Sequence, residues 1–281
     1  MKNWKSWRPV RVTVSMARIY GGKRLPRTAA ALAYLMVLAL FPGMICLYDL
    51  LALVLSNPGA VMGVLESLVL PQETSTLIGD FLTYVSGNAN QTVFIVAFIA
   101  MLTSASAIFR TFSAIAEDIS GGRRFGAIGG LVVSFVFALA FLLAVFLCIL
   151  LILSGRHVLD LLDQVAPWLH IGKWWTWLRF VLLFAIILLI LRMLYGLTVP
   201  RERVGYRWPG ALFSAVCMLG LSILFSWLFG RSSKYPIVYG SLASVIILMV
   251  WFDLLGLLML LGYAFNQALA ETSGRPDTEG E

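Results

Sequence analysis

The chain has 281 residues, 60% of them hydrophobic and 12% charged, with a mean hydropathy of +0.90. A soluble domain carries about 25% charge, disorder needs low hydrophobicity and high charge, and three cysteines in a chain of this length exclude a disulfide scaffold. What remains is a polytopic all-α membrane protein, with six stretches long and apolar enough to span a bilayer.

Residues 1–27 form a basic N-terminal segment holding Lys2, Lys5, Arg8, Arg11, Arg18, Lys23, Arg24 and Arg27. The apolar run that follows is too long for a signal-peptide core and lacks a small-x-small cleavage pattern, so the first helix is expected to stay in the membrane. Span one covers about 28–55. Within it Phe41-Pro42-Gly43 is expected to interrupt the helix, because Pro removes a donor and clashes with the preceding turn. Broken helices frame substrate sites in transporters, and a simple kink is the alternative. Asp49 lies roughly two turns from the outer end, facing a cavity or reaching the interface.

The outer loop, 56–91, has no Lys or Arg. Val61, Val64, Leu65 and Leu68, then Leu77, Ile78, Phe81, Leu82 and Val85, recur at helical spacing on either side of Pro71. They predict two short amphipathic helices that cap the bundle. Span two, 92–113, is rich in hydroxyls (Thr103, Ser104, Ser106, Thr111, Ser113) and closes on Arg110. That run allows close packing or lines a wet path. Span three covers 128–153, with a Gly126/Gly130 pair read as packing.

His157 and His170, with Asp160 and Asp163 nearby, are placed in the next outer loop, as a metal pair or a solvated interfacial one. Trp168, Trp174, Trp175 and Trp177 form an aromatic belt. Span four, 174–198, contains Arg179 and Arg192, which either snorkel to headgroups or, for Arg192, pair with a carboxylate or lipid phosphate. Span five covers 209–230. Its entry, Arg207-Trp208-Pro209-Gly210-Ala211-Leu212, weakly echoes Arg124-Phe125-Gly126-Ala127-Ile128 before span three.

Span six, 237–267, places Asp253 near its centre. A mid-membrane carboxylate reads either as a proton or cation site or as the partner of an Arg or hydroxyl on a neighbouring helix. The tail, 268–281, is polar, and Glu271 to Glu281 are expected to be disordered. Cys46, Cys148 and Cys217 all sit in apolar runs and read as small buried hydrophobes.

Fifteen Lys and Arg fall on the N-terminal side of the membrane and four on the other, with Arg179 and Arg192 inside span four. The positive-inside rule therefore predicts cytoplasmic termini. The net charge of +7 then reflects topology and attraction to anionic lipid at the cytoplasmic face, and needs no nucleic acid. No Walker loop, HExxH or GxSxG is present, and the expectation is no enzyme, no metal and no cofactor.

Three stretches resemble the YihY/BrkB family of bacterial inner-membrane proteins, once misassigned as ribonuclease BN. They are Ala29-Ala30-Ala31-Leu32-Ala33-Tyr34 with Leu40-Phe41-Pro42, then Trp208-Pro209-Gly210-Ala211-Leu212, and Tyr239-Gly240-Ser241-Leu242-Ala243 with Trp251, Leu261-Gly262 and Asn266. The resemblance covers roughly residues 15–270. Two departures stand out. The family's last helix commonly ends Gly-Ala-Glu-Leu-Asn, whereas this chain has Gly262-Tyr263-Ala264-Phe265-Asn266, so the Glu position is Ala264. Glu117 to Arg124 also differs. The resemblance implies a membrane protein suggested to act in transport or lipid handling. The expected function is thus transporter-like, moving or binding a lipid or small ion across the cytoplasmic membrane. Its rival is a non-transporting scaffold for envelope assembly, and a nuclease role is disfavoured. Candidate polar residues within the membrane are Asp253, Arg192, Arg110 and Asp49, with Pro42 and Gly43 as the helix break. The oligomeric state is open.

Overall fold

The computed structural model describes residues 8–54, 91–122, 124–165, 171–198, 208–229 and 242–273. Among these, regular structure is entirely helical: α1 (Arg8–Gly22), α2 (Leu25–Val54), α3 (Gln91–Ser120), α4 (Ala127–Val165), α5 (Ile171–Thr198), α6 (Trp208–Phe229) and α7 (Leu242–Ser273). Six carry apolar stretches long enough to cross a membrane: Leu25–Leu50, Gln91–Ser120, Ala127–Leu150, Val181–Thr198, Trp208–Leu228 and Ser244–Thr272. A helix rises about 1.5 Å per residue, so even the shortest is close to the ~30 Å hydrocarbon layer in length.

The expected loop helices over 56–91, and His170, lie outside the described residues. So do the side chains of His157, Asp160, Asp163, Arg179 and the Trp174 to Trp177 cluster.

Several boundaries move. The basic N-terminal segment contains a helix, α1, that buries Val12, Ser15 and Ile19. This i, i+3, i+7 stripe is the face of an amphipathic helix. Ser15 Oγ donates to Glu271 Oε2 at 2.6 Å and the Arg11 guanidinium to the Thr272 carbonyl at 3.2 Å, fixing α1 on the end of α7. α1 and the C-terminal end of α7 thus lie together at one end of the bundle, called here the basic end. Arg24, at φ 50°, makes the left-handed turn from α1 into α2.

The last span extends beyond its expected end at 267: α7 is helical to Ser273, so the first residues expected in the tail are helical, while 237–241 lie outside the described residues. The third span continues to Val165, which puts His157 on a helix and not in a loop. The apolar count that marks a span stops where polar residues begin, but the backbone bonds of the helix do not.

The expected break at Pro42 is absent, since α2 is continuous across Phe41-Pro42-Gly43. Proline costs one backbone bond. Here a Cβ on Gly43 would stand 3.4 Å from Met101 Cγ, so α2 and α3 meet closely at that level. The Pro-Gly pair marks packing.

The core gathers around α7, which packs on α1, α2 and α6 and touches α3. Tyr195, Tyr263, Phe112, Leu248 and Leu260 are almost fully buried there. Small residues, Ala29, Ala211, Ala215, Ala264, Ala268 and Gly256, let the helices approach closely, as membrane packing requires. Large apolar side chains point outward on each span, among them Tyr34, Ile99, Val136, Val181, Ile223 and Val250. On a soluble protein this would be an aggregating surface; here it faces lipid.

Candidate functional site

The most polar part of the interior lies toward the basic end, where α3, α5, α6 and α7 meet. The hydroxyls of Tyr195 (α5) and Ser214 (α6) lie 2.9 Å apart. Tyr195 also reaches the Met259 carbonyl at 2.7 Å, and Ser214 the Leu258 carbonyl at 2.8 Å. This is possible because Gly262 has no side chain: a Cβ there would stand 2.6 Å from the Gly210 carbonyl and 2.8 Å from the Tyr195 hydroxyl, and would overlap Ser214 Oγ. Gly210 is equally constrained, because a Cβ would overlap the Gly262 carbonyl.

Residues spaced Gly210-xxx-Ser214 and Gly262-xxx-Asn266 thus form two facing small-residue ridges. The first turn of a helix leaves backbone N–H groups unpaired. Pro209 has none to leave, and Gly210 donates its own to Asn266 Oδ1 at 2.7 Å. Tyr263 donates to the Ala116 carbonyl on α3 at 3.4 Å. Phe112 stacks on Tyr195, and both meet Tyr263 edge to face, with centroids 5.7 to 5.8 Å apart.

Two of the resembling stretches, 208–212 and 262–266, therefore bond directly to one another. The third packs nearby, because a Cβ on Gly256 would stand 3.3 Å from the Ala29 carbonyl and 3.4 Å from Leu32 Cβ. Sequence reasoning missed Tyr195, Ser214 and the Asn266 cap. The signal was the small-xxx-small spacing on spans five and six. Chemically this cluster is a lock: its hydroxyls are committed to helix carbonyls. Among the described residues no three His, Cys, Asp or Glu side chains converge as a metal site would need.

The candidate residues separate. Arg192 is exposed, with its guanidinium 4.2 Å above the Trp208 ring, a cation–π contact between α5 and α6. Arg110 is exposed on α3 and donates to Ser106 Oγ at 3.1 Å. Asp253 is half-buried, and its Oδ1 is enclosed without a hydrogen-bond partner. Asp49 is half-buried near the far end of α2. The structure brings none of these four together.

Of the span-two hydroxyls, Thr103 bonds to the carbonyls of Ile99 and Ala100 and Ser106 to that of Thr103, within their own helix, while the buried Ser113 Oγ has no hydrogen-bond partner among the described residues. Ala264 is fully buried. Asp253 lies eleven positions earlier, about 16 Å along the helix.

A second feature faces the membrane. Between α4 and α5 runs a groove of about 250 Å³ lined by apolar side chains, among them Phe137, Ala140, Ala144, Cys148, Ile186 and Met193. Ala140 and Ala144, one turn apart, hollow it. One turn beyond Met193, the Arg124 guanidinium donates to the Gly196 carbonyl, one of the last carbonyls of α5, which have no partner within the helix. It also lies 5.1 Å from the Phe125 ring.

The sequence model of the family described as Virulence factor BrkB matches residues 16–281. The chain belongs to the BrkB family. A BrkB relative in Bacillus subtilis (strain 168), called putative ribonuclease-like protein YfkH, is 29% identical over 89% of this chain and 91% of its own length. A UPF0761 membrane protein of Teredinibacter turnerae is 28% identical over 88% of this chain, which spans 57% of that longer relative. No solved structure matches. The protein is thus a multi-pass membrane protein of a bacterial membrane family that is not a known enzyme family.

Proposed function

We propose that this BrkB protein handles lipid from its membrane-facing side: it holds the chain of an anionic phospholipid in the groove between α4 and α5, in the cytoplasmic membrane and with both termini cytoplasmic. The observation that carries this is the groove with a basic mouth. From Gly196, where Arg124 sits, to Ile186 is ten positions along α5, about 15 Å, or half the ~30 Å hydrocarbon layer. That is one leaflet, the reach of one acyl chain. The interior toward the basic end supports the same reading, because among the described residues it is filled by Phe109, Phe112, Tyr195 and Tyr263. The route for a substrate is along the outside.

The test is thermal unfolding of purified protein in mild detergent, titrated with phosphatidylglycerol or phosphatidylcholine. A ligand that binds only the folded state stabilises it. Phosphatidylglycerol is expected to raise the melting temperature more than phosphatidylcholine. Ala144→Phe, which fills the groove, should abolish both responses, and Arg124→Gln should abolish the preference for the anionic lipid. An Ala144→Phe variant that responds like wild type would refute the site.

A static scaffold is the second reading, favoured by the interlocked hydroxyls of Tyr195 and Ser214. It predicts no lipid response and stable protein partners in mild detergent. Neither reading assigns ribonuclease chemistry, and purified protein is expected to leave RNA intact with or without divalent metal.

A further inference from the structure

Arg110 and Asp253 are opposite charges inside membrane spans, and among the described residues neither has an ionic partner. Their depths can be compared through α2. Gly43 packs on Met101 and Lys23 pairs with Asp118, so α2 and α3 run antiparallel in fixed register. In that register Arg110 falls level with α2 residues 31–34. Gly256 packs on Ala29 and Leu32, which places Asp253 level with residues 32–35. The two charges share one depth to within about a turn, ~5 Å.

That depth is well inside the bilayer. Arg110 is eight positions, ~12 Å, from the Lys23–Asp118 pair at the basic end. A lone arginine near a helix end snorkels toward the nearer interface. Arg110 does the opposite: its bond to Ser106 turns the guanidinium toward the membrane interior. A cation held there, exposed on the outside of the protein, calls for a fixed anion at the same level.

We propose that this surface is a two-fold interface with a second copy of the chain, in which Arg110 of each protomer pairs with the partner's Asp253. The symmetry fits the layout. α2 lies between α3 and α7 and presents Ala30, Ala31 and Tyr34 outward, with Tyr34 58% exposed. A two-fold axis along the membrane normal preserves depth. Placed beside α2, it sets α2 against the partner's α2, α3 against the partner's α7, and α7 against the partner's α3. A closed two-fold contact is reciprocal, so both charge pairs form at once, and equal depth is the condition they need. Ala30 and Ala31 at the centre permit close approach of the two copies of α2. This inference does not depend on lipid in the α4–α5 groove.

The test is the dimer fraction of full-length protein in liposomes at low density, counted by single-molecule photobleaching. Wild type is expected to be dimeric. Arg110→Asp and Asp253→Arg should each weaken association at least tenfold, and the double reversal should restore it. In a Cys217→Ser background, Tyr34→Cys should form a disulfide dimer with itself in native membranes, and Arg110→Asp should suppress it. If either single reversal does not fold, the milder Arg110→Gln and Asp253→Asn variants should still weaken association. A wild type that is monomeric throughout, folded single variants that dimerise like wild type, or a folded double reversal that stays monomeric would each overturn the proposal.

Discussion

Gly262 shows how much a single absent Cβ decides. Adding a methyl group there collides with Ser214 Oγ and the Gly210 carbonyl, and backbone yields less than a flexible side chain. Gly262→Ala is expected to destabilise the protein by about 3 kcal/mol or more, since overpacking of a tight core already costs 1–3 kcal/mol. Gly220→Ala is the control. Nothing lies within 4 Å of that position, so the substitution should be neutral or gain up to ~1 kcal/mol of helix propensity. Thermal unfolding in one detergent reads both. Asn266→Leu removes the acceptor of the Gly210 N–H. An unsatisfied buried donor costs about 1–3 kcal/mol, and a loss in that range is expected in the same assay. The resembling motifs contained these residues by name, but their pairing was not legible: it depends on the register between antiparallel helices, which one-dimensional spacing does not fix. Asp253 and Arg110 were legible as misplaced charges, because the cost of a charge in hydrocarbon is independent of fold. Their equal depth was not.

At the scale of elements, the six spans could be read from composition, because length and hydropathy are local properties. Their ends could not, and α1 was invisible as a span because its apolar residues occupy only a stripe. That stripe predicts its behaviour. Ile19→Asp should release α1 from α7, so limited proteolysis of purified protein should cut within Arg8–Gly22 faster than in wild type, with the spans intact. Pro42 argues the other way. A helix break read from one residue failed because neighbouring helices hold a spanning helix together even where one backbone bond is missing. Pro42→Ala restores that donor inside a continuous helix. It is expected to keep or raise the melting temperature and to leave the lipid response unchanged; a lost response would show that the proline serves function.

At the scale of the whole molecule, the fold divides its tasks between faces. The interior around α7 is interlocked by Tyr195, Ser214 and the Gly210–Asn266 cap. The surface carries the α4–α5 groove with Arg124 at its mouth and the exposed Arg110 on α3, while Asp253 on α7 is half-buried with one carboxylate oxygen enclosed. The contact between α1 and the end of α7 requires both described termini on one side, and the positive-inside rule predicts that this side is cytoplasmic. Single cysteines added at either terminus should therefore be shielded from an impermeant maleimide in intact cells and labelled after permeabilisation.

The most direct measurement of lipid handling is native mass spectrometry of the protein released from mild detergent, with bound phospholipid counted and identified. Wild type is expected to retain phospholipid at a defined stoichiometry, enriched in anionic headgroups. Ala144→Phe should lose it, and Arg124→Gln should retain lipid without the enrichment. A wild type that carries no lipid, or an Ala144→Phe variant that carries the same lipid in the same amount, would contradict a chain held between α4 and α5.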